Sequence, residues 1–291
     1  MKSFAAVVLY NPPSSTISLL QALRRQGCVV HIFVNALPVD QDISMYADLS
    51  DATFFPGENL GLAKALNAII DVFRASTSQY LFLFDQDSRI SDGYIDGMIN
   101  EFQSIASVDH SIVCLAPILI DTKHRGTSST NAIPSSTHSI CTAYPTAATS
   151  GCLFTQVSFS AVGLMDENLF IDGIDHDWCL RAWMRQCSIY FSTKMTLSHN
   201  MGDSFIKYGA SLKPIHSNTV RHYYIVRNSV YMISWKSFPI GWNLLEILKT
   251  IRRVVGYPML SGNKILSLRM VMLGILHGIF KRMGKLSSHS H

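Results

Sequence analysis

Apolar residues in this chain come in short dense runs separated by polar or helix-spaced segments. Residues 4–9 (FAAVVL) form one run, ended by Asn11, Pro12 and Pro13, and residues 28–34 (CVVHIFV) form a second, ended by Asn35 and Pro38. Runs of this length bounded by turn formers read as buried strands. Between them TISLLQALRRQG has helical spacing and stops on Gly27, so the first unit reads strand, helix, strand, the start of a parallel sheet. ATFFP suggests a third strand. In GENLGLAKALNAIIDVF, Leu62, Leu66, Ile69, Ile70 and Phe73 recur at i, i+4, i+7, i+8 and i+11, one buried helical face. The next run, residues 80–84 (YLFLF), ends on two acids, Asp85 and Asp87. Because strand and helix have alternated, those acids fall at the carboxyl end of a parallel strand, the edge where open α/β sheets bind ligands.

Further along, the pattern predicts a helix over 91–107, a strand at IVCLAPILI, a long loop over 126–150 and a strand at SGCLFT. LFIDGIDHDWCLRAWMRQ leads from an apolar run into a helix, and IYFST and MTLSH read as two closing strands. From His216 the spacing becomes helical, near 218–235, 240–255 and 263–284, and no internal repeat is visible. The expected fold class is α/β: a mixed, mainly parallel sheet flanked by helices, with a C-terminal helical extension.

Composition adds a second theme. Charged residues are only 15% of the chain and mean hydropathy is positive, which implies a large core or contact with a membrane. From Lys236 onward nine Lys and Arg face one acid, Glu246; that net +8 against +4 for the whole chain leaves −4 for the rest. A basic, apolar tail behind an acidic body suits anionic lipid, not nucleic acid. The longest apolar stretch of the tail, 270–280, contains His277 and has only 11 residues, below the roughly 20 a spanning helix needs, so no transmembrane helix is expected. The six cysteines contain no CxxC pair and nothing resembles a secretory signal, so a reducing, cytoplasmic setting is expected.

Five segments hold candidate chemistry. Asp85 and Asp87 form a D-x-D that reads either as a site for Mg²⁺ or Mn²⁺ on a substrate diphosphate or as a solvated turn. ENLGLAKALN sets Gly61 and Lys64 at a helix start, either a phosphate site or an amphipathic helix capped by Asn59. IDGIDHDWCLR carries Asp172, Asp175 and Asp177. On a running helix, residues 175 and 177 stand about 200° apart, so they do not share one purpose unless they lie in an irregular lead-in. Asp177 has a possible i, i+4 partner in Arg181, whereas Asp175 has none in the local sequence and is the general-base candidate. His199 ends the last strand candidate, as a metal ligand or an ordinary polar residue. Arg221 and Arg227 sit beside tyrosines, and Arg227 reads either as a diphosphate clamp or as a surface cation near lipid.

The order VVLYNPP, ENLGLAKALN, LFDQDS, TSGCLFT, LFIDGIDHDWCLRA, HNMGD, YYIVRN resembles the family 2 inverting glycosyltransferases of the GT-A fold, most of all bacterial rhamnosyltransferases of O-antigen synthesis. The match covers roughly residues 4–232. It implies a catalytic domain over 1–215, with a nucleotide-sugar half over 1–110 and an acceptor half over 111–215, followed by a membrane-associating helical region over 216–291. It implies Asp175 as general base with Asp177 following it in the same motif, Asp85, Asp87 and His199 at the metal, and Tyr10, Asn11, Asn59, Gly61, Lys64, Asp85 and Arg227 around the nucleotide sugar. It also implies dTDP-L-rhamnose as donor, a polyprenyl-diphosphate-linked acceptor, and a peripheral position on the cytoplasmic face of the inner membrane. Two positions depart from the pattern. Many members carry D-x-S or an acid after the second strand, where this chain has FVNALP with Asn35, and position 177 is often glutamate.

Another donor, a UDP-hexose or UDP-galactofuranose, fits the same motifs. A nucleotidyltransferase would begin with a Gly-rich basic loop after the first strand, which YNPPSST lacks. A non-catalytic membrane-attached binding subunit would not need Asp175 together with the D-x-D.

Overall fold

The computed structural model describes residues 3–121, 146–199, 204–208, 211–215 and 218–287, with the backbone alone at 121, 199, 204–208 and 211–215. The predicted loop over 126–150 therefore lies mostly outside the described residues.

Elements follow the apolar runs closely. The first half contains β1 (Ser3–Tyr10), α1 (Ser15–Arg25), β2 (Cys28–Ala36), a short α2 (Ser44–Ala47), β3 (Ala52–Phe54), α3 (Leu62–Ala75), β4 (Tyr80–Asp85) and α4 (Tyr94–Ala106). Then come β5 (Ile112–Asp121), β6 (Cys152–Thr155), α5 (Gln156–Val162), a 3-10 turn (Glu167–Leu169), α6 (Ile174–Met184) and β7 (Ser188–His199). A two-stranded hairpin, β8 (Ser204–Tyr208) with β9 (Ser211–Ile215), precedes α7 (Thr219–Trp235), α8 (Ile240–Leu260) and α9 (Lys264–Ile279). The sequence pattern did not anticipate the hairpin.

The main sheet has the order β3-β2-β1-β4-β6-β5-β7. Its pairs are parallel except for β6, which runs antiparallel to both β4 and β5. The chain winds outward from β1 through β2 to β3, then returns to place β4 on the other side of β1. This makes the β1/β4 boundary a topological switch point, where the carboxyl ends of strands open a crevice. Val7, Leu9, Val30, Ile32, Phe82 and Leu153 pack against Leu19, Leu20 and Leu23 of α1 and Met98 and Phe102 of α4 to form the core.

The two closing strands expected at IYFST and MTLSH are one strand, β7, whose pairing with β5 slips between Ala116 and Ile118. The reason is a bulge at the polar residues between the two apolar pieces. Ser192 Oγ accepts from the backbone N–H of Lys194 and Met195, and Glu101 of α4 accepts from Thr193 N–H. A bulge re-aims a strand without ending it.

The chain divides into two compact units, residues 1–165 with 178–200, and residues 166–177 with 201–291. In the second, Phe170, Tyr223, Tyr224 and Met270 form a small core. Gly274 and Gly278 let the backbone of α9 lie directly on α7: a Cβ there would stand 2.8 Å from the carbonyl oxygen of Tyr223 and 2.7 Å from that of Arg227. Among the described residues no helix is long and apolar enough to cross a membrane.

Candidate active site

In the first unit the switch point brings Tyr10, Asn11 and the D-x-D turn together. Gln86, between the two acids, clasps the end of β1: its Oε1 accepts from Tyr10 N at 2.7 Å and its Nε2 donates to Tyr10 O at 3.0 Å. Thr16 Oγ1 adds a hydrogen bond to Gln86 O at 2.9 Å. The amide thus extends the sheet by one side-chain rung and fixes the turn carrying Asp85 and Asp87. Ser150, entering β6, supports the turn from the opposite side, its Oγ accepting from Asp85 N at 3.1 Å and lying 2.7 Å from Ser88 Oγ. Both aspartates are half-buried at the rim. Tyr10 is 52% exposed, open to stack on a planar ligand.

Beside them, Asn35 is buried, and its amide accepts from Leu60 N and donates to Gly61 O, tying β2 to the loop before α3. Its amide thus serves the loop. Asn59 is not the cap of α3: its Oδ1 accepts from Gly61 N, and Gly61 itself occupies the N-cap at φ +87, ψ 167, a region open essentially to glycine alone. Lys64 stands exposed in the first turn of α3.

In the second unit the three acids of IDGIDHDW have three different environments. Asp172 is held by Arg221, whose Nε donates to both carboxylate oxygens and whose Nη2 lies 2.9 Å from Oδ1. Asp177 is fully buried, with Lys236 Nζ 3.0 Å from its Oδ1. The same ammonium lies 2.7 Å from Asp166. Asp175 is half-buried, accepts only from the neighbouring His176 N–H, and among the described residues has no cationic partner. The helix starts at Ile174, so the two acids are in its first turn and diverge as a running helix requires. This corrects the placing of Asp177 among the reacting groups, since a buried, ion-paired carboxylate cannot reach a substrate.

Arg227 also needs correction. It is fully buried, its Nε and Nη2 donate to Asn228 Oδ1, its Nη2 donates to Leu169 O and its Nη1 to Gly284 O, and its guanidinium lies over the Tyr224 ring. Burial holds its pKa below the ordinary guanidinium value. With its donors committed to carbonyls and an amide, it ties the helical unit together and is not a diphosphate clamp.

Its neighbour Asn228 has no distinguishing signal in the sequence. The fully buried Asn228 Nδ2 donates to the carbonyls of Leu169, Ile171 and Asp172 at 3.0, 2.7 and 2.7 Å. Those carbonyls belong to a lead-in where Phe170 and Asp172 sit at φ +62 and +64, a conformation costing roughly 1–3 kcal/mol per non-glycine residue. Arg227 and Asn228 therefore hold in place the strained turn that presents Asp175. Asn228→Ala leaves buried carbonyls and a buried guanidinium short of partners. It should lower the unfolding free energy by about 3 kcal/mol, measured by urea denaturation, and Asn228→Asp should not restore it because a carboxylate cannot donate.

The predicted site residues are thus distributed: Tyr10, Asn11, Asn59, Gly61, Lys64, Asp85, Asp87 and His199 in the first unit, Asp175, Asp177 and Arg227 in the second. His199 ends β7, and its side chain lies outside the described residues, as does the rest of HNMGD. Among the described residues no group of three His, Cys, Asp or Glu side chains converges on a metal position. A cavity of about 460 Å³ lined by Thr77, Tyr80, His110 and Gln156 opens at the amino-terminal edge of the sheet, away from the D-x-D.

No protein-family model matches the chain. Over 289 residues it is 29% identical to the dTDP-rhamnosyl transferase RfbF of Shigella flexneri, covering 95% of each protein. Among solved structures it is similar to S. aureus TarS 1-349 in complex with UDP-GlcNAc, at TM-score 0.61 and 12% identity, covering 97% of this chain and 82% of that one. It is also similar to GalNAc-T7 with UDP, GalNAc and Mn²⁺, at TM-score 0.51 and 14% identity, covering 87% of this chain and 57% of that one. The structural likeness establishes the mixed-sheet architecture, and the relative that spans nearly the whole chain transfers a sugar. The chain has the fold of these glycosyltransferases and is similar along nearly its whole length to one that transfers rhamnose.

Proposed function

We propose that the chain transfers L-rhamnose from dTDP-L-rhamnose, with inversion, to a hydroxyl of a polyprenyl-diphosphate-linked saccharide in the synthesis of a bacterial surface polysaccharide. The observation that carries the mechanism is the sorting of the three acids. Asp172 and Asp177 are neutralised by Arg221 and Lys236, which leaves Asp175 as the carboxylate able to accept a proton. The donor identity is supported by the similarity to RfbF along 95% of both chains.

Asp175 takes the proton of the acceptor hydroxyl as its oxygen bonds to the anomeric carbon. The bond from that carbon to the diphosphate oxygen breaks, and the nucleoside diphosphate leaves from the opposite face. Asp85 and Asp87 offer hard oxygen donors of the kind that hold Mg²⁺ or Mn²⁺ together with a substrate diphosphate, and His199 is the proposed further ligand. Such an ion supplies neutralisation of the charge developing on the leaving group. In this proposal residues 1–110 bind the donor, 111–215 shape the acceptor side, and 216–291 attach the enzyme peripherally to the cytoplasmic face of the inner membrane.

The test incubates purified protein and Mg²⁺ or Mn²⁺ with dTDP-L-rhamnose, a UDP-hexose or UDP-galactofuranose, with and without a lipid-linked acceptor. Acceptor-dependent dTDP release is expected. Release from a UDP sugar and none from dTDP-L-rhamnose would replace the donor assignment.

A further inference from the structure

Helix α8 is amphipathic in the reverse of the usual sense. It buries Trp242, Glu246 and Thr250 at i, i+4 and i+8. On the opposite side it exposes Ile240, Leu244, Leu248, Ile251 and Val255, which are 78, 57, 59, 56 and 57% accessible. At about 100° per residue these five fall within an arc of roughly 80°, a continuous apolar stripe some 20 Å long. The polar side is satisfied internally: Glu246 accepts from Ser229 of α7 and pairs with Arg253. Helix α9 repeats the arrangement. Gly274 and Gly278 press it onto α7, while Ile265, Leu268, Met272 and Leu276 face outward, 47 to 83% accessible. A globular unit gains nothing from two such stripes left in water; exposed apolar patches of this extent mark a docking surface.

The charges identify the occupant. Arg252 lies beside the stripe of α8, Lys249 stands farther round the helix next to Glu246, and Lys264, Arg269, Lys281 and Lys285 lie along and beyond α9, all exposed. The one acid after Lys236, Glu246, is buried and already paired, so the face presents no negative charge of its own. A second copy of the chain would bring cation against cation. An anionic lipid surface supplies both an apolar layer for the stripes and negative headgroups for the lysines and arginines.

We infer that α8 and α9 lie in the plane of an anionic bilayer, their outward stripes immersed at the level of the acyl boundary and their lysines and arginines among the headgroups. Neither helix is long and apolar enough to span. This inference deepens the proposed function by naming the surface that attaches the enzyme, and it rests on that reading only for its biological purpose.

The test is co-sedimentation of the full chain with vesicles of phosphatidylcholine alone or mixed with phosphatidylglycerol, without donor or acceptor. Binding to the anionic vesicles, weakening as salt rises, is expected. The Leu244→Glu/Ile251→Glu double variant should reduce partitioning about tenfold with an unchanged melting temperature and unchanged dTDP-L-rhamnose binding. Equal partitioning of variant and native protein, or no binding to anionic vesicles, would overturn it. So would a native dimer, seen by sedimentation velocity, that the variant splits into monomers. A protein that binds vesicles but releases no dTDP would leave this surface standing and sink the donor assignment instead.

Discussion

Asp175→Asn should slow sugar transfer by about 10²–10⁴-fold while donor affinity stays within about twofold, because the amide keeps the shape of the side chain and loses the ability to take a proton. The contrast with its neighbours makes this a sharp test. Asp172 and Asp177 carry the same functional group within five residues, yet each faces a basic side chain, Arg221 or Lys236. Their amide variants should therefore show themselves first as lower melting temperatures, with losses in transfer that follow the loss of folded protein. The measurements are single-turnover transfer rates, calorimetric donor titration and thermal unfolding on all three variants. Native transfer by Asp175→Asn would remove it as the base. A fully folded Asp177→Asn protein with a rate loss of the same size would move the role to position 177.

Much of the fold was legible because its strands are dense β-formers between turn residues and α3 repeats its apolar face at helical spacing. Residues 62–73 are the clearest case: Leu66, Ile69, Ile70 and Phe73 are all buried. The D-x-D at a parallel strand end was legible from alternation alone. Side-chain partners contributed from far along the chain were not. Arg227 looks like an anion binder in sequence because nothing there shows that carbonyls from residues 168, 169 and 284 surround it. Asn228 in YYIVRN carries no signal in sequence, since an asparagine on a helix is ordinary and its three carbonyl partners come from about 56–59 residues earlier. Gln86 reads as a mere spacer in D-x-D because its partner, the backbone of Tyr10, lies 76 residues earlier. The bulge in β7 reads as a break in sequence because Ser192, Thr193 and Lys194 interrupt the apolar pattern, and the carboxylate that accommodates them, Glu101, lies about 90 residues earlier.

Lys236→Met should destabilise the protein by about 3 kcal/mol, the lower end for removing one partner of a buried ion pair, since the ammonium is itself partly accessible. Methionine keeps the length and bulk of the side chain, so the loss is chiefly electrostatic. Burial alone would depress the ammonium, but Asp177 and Asp166 outweigh it and hold the Lys236 pKa above its ordinary value. Burial likewise works to raise the pKa of Asp166, yet the hydrogen bond and charge of Lys236 prevail and leave it below 3.8. The sign follows from that direction. A carboxylate whose folded pKa is depressed contributes stability above its unfolded value and loses it as pH falls through the folded one. Without the ammonium the two largest influences that lower the Asp166 pKa are gone, so the folded pKa rises and Asp166 favours the folded state less at neutral pH. The gap between native and variant unfolding free energies should therefore be full near pH 7 and narrow as pH falls below 3.8. In a double-mutant cycle, Lys236→Met with Asp177→Asn should cost less than the two single changes added, by about 1 kcal/mol or more. Strict additivity, or a gap that does not change with pH, would show that Asp177 and Asp166 are held by something other than Lys236, and with it would go the ion pair as the reason for setting Asp177 apart from Asp175.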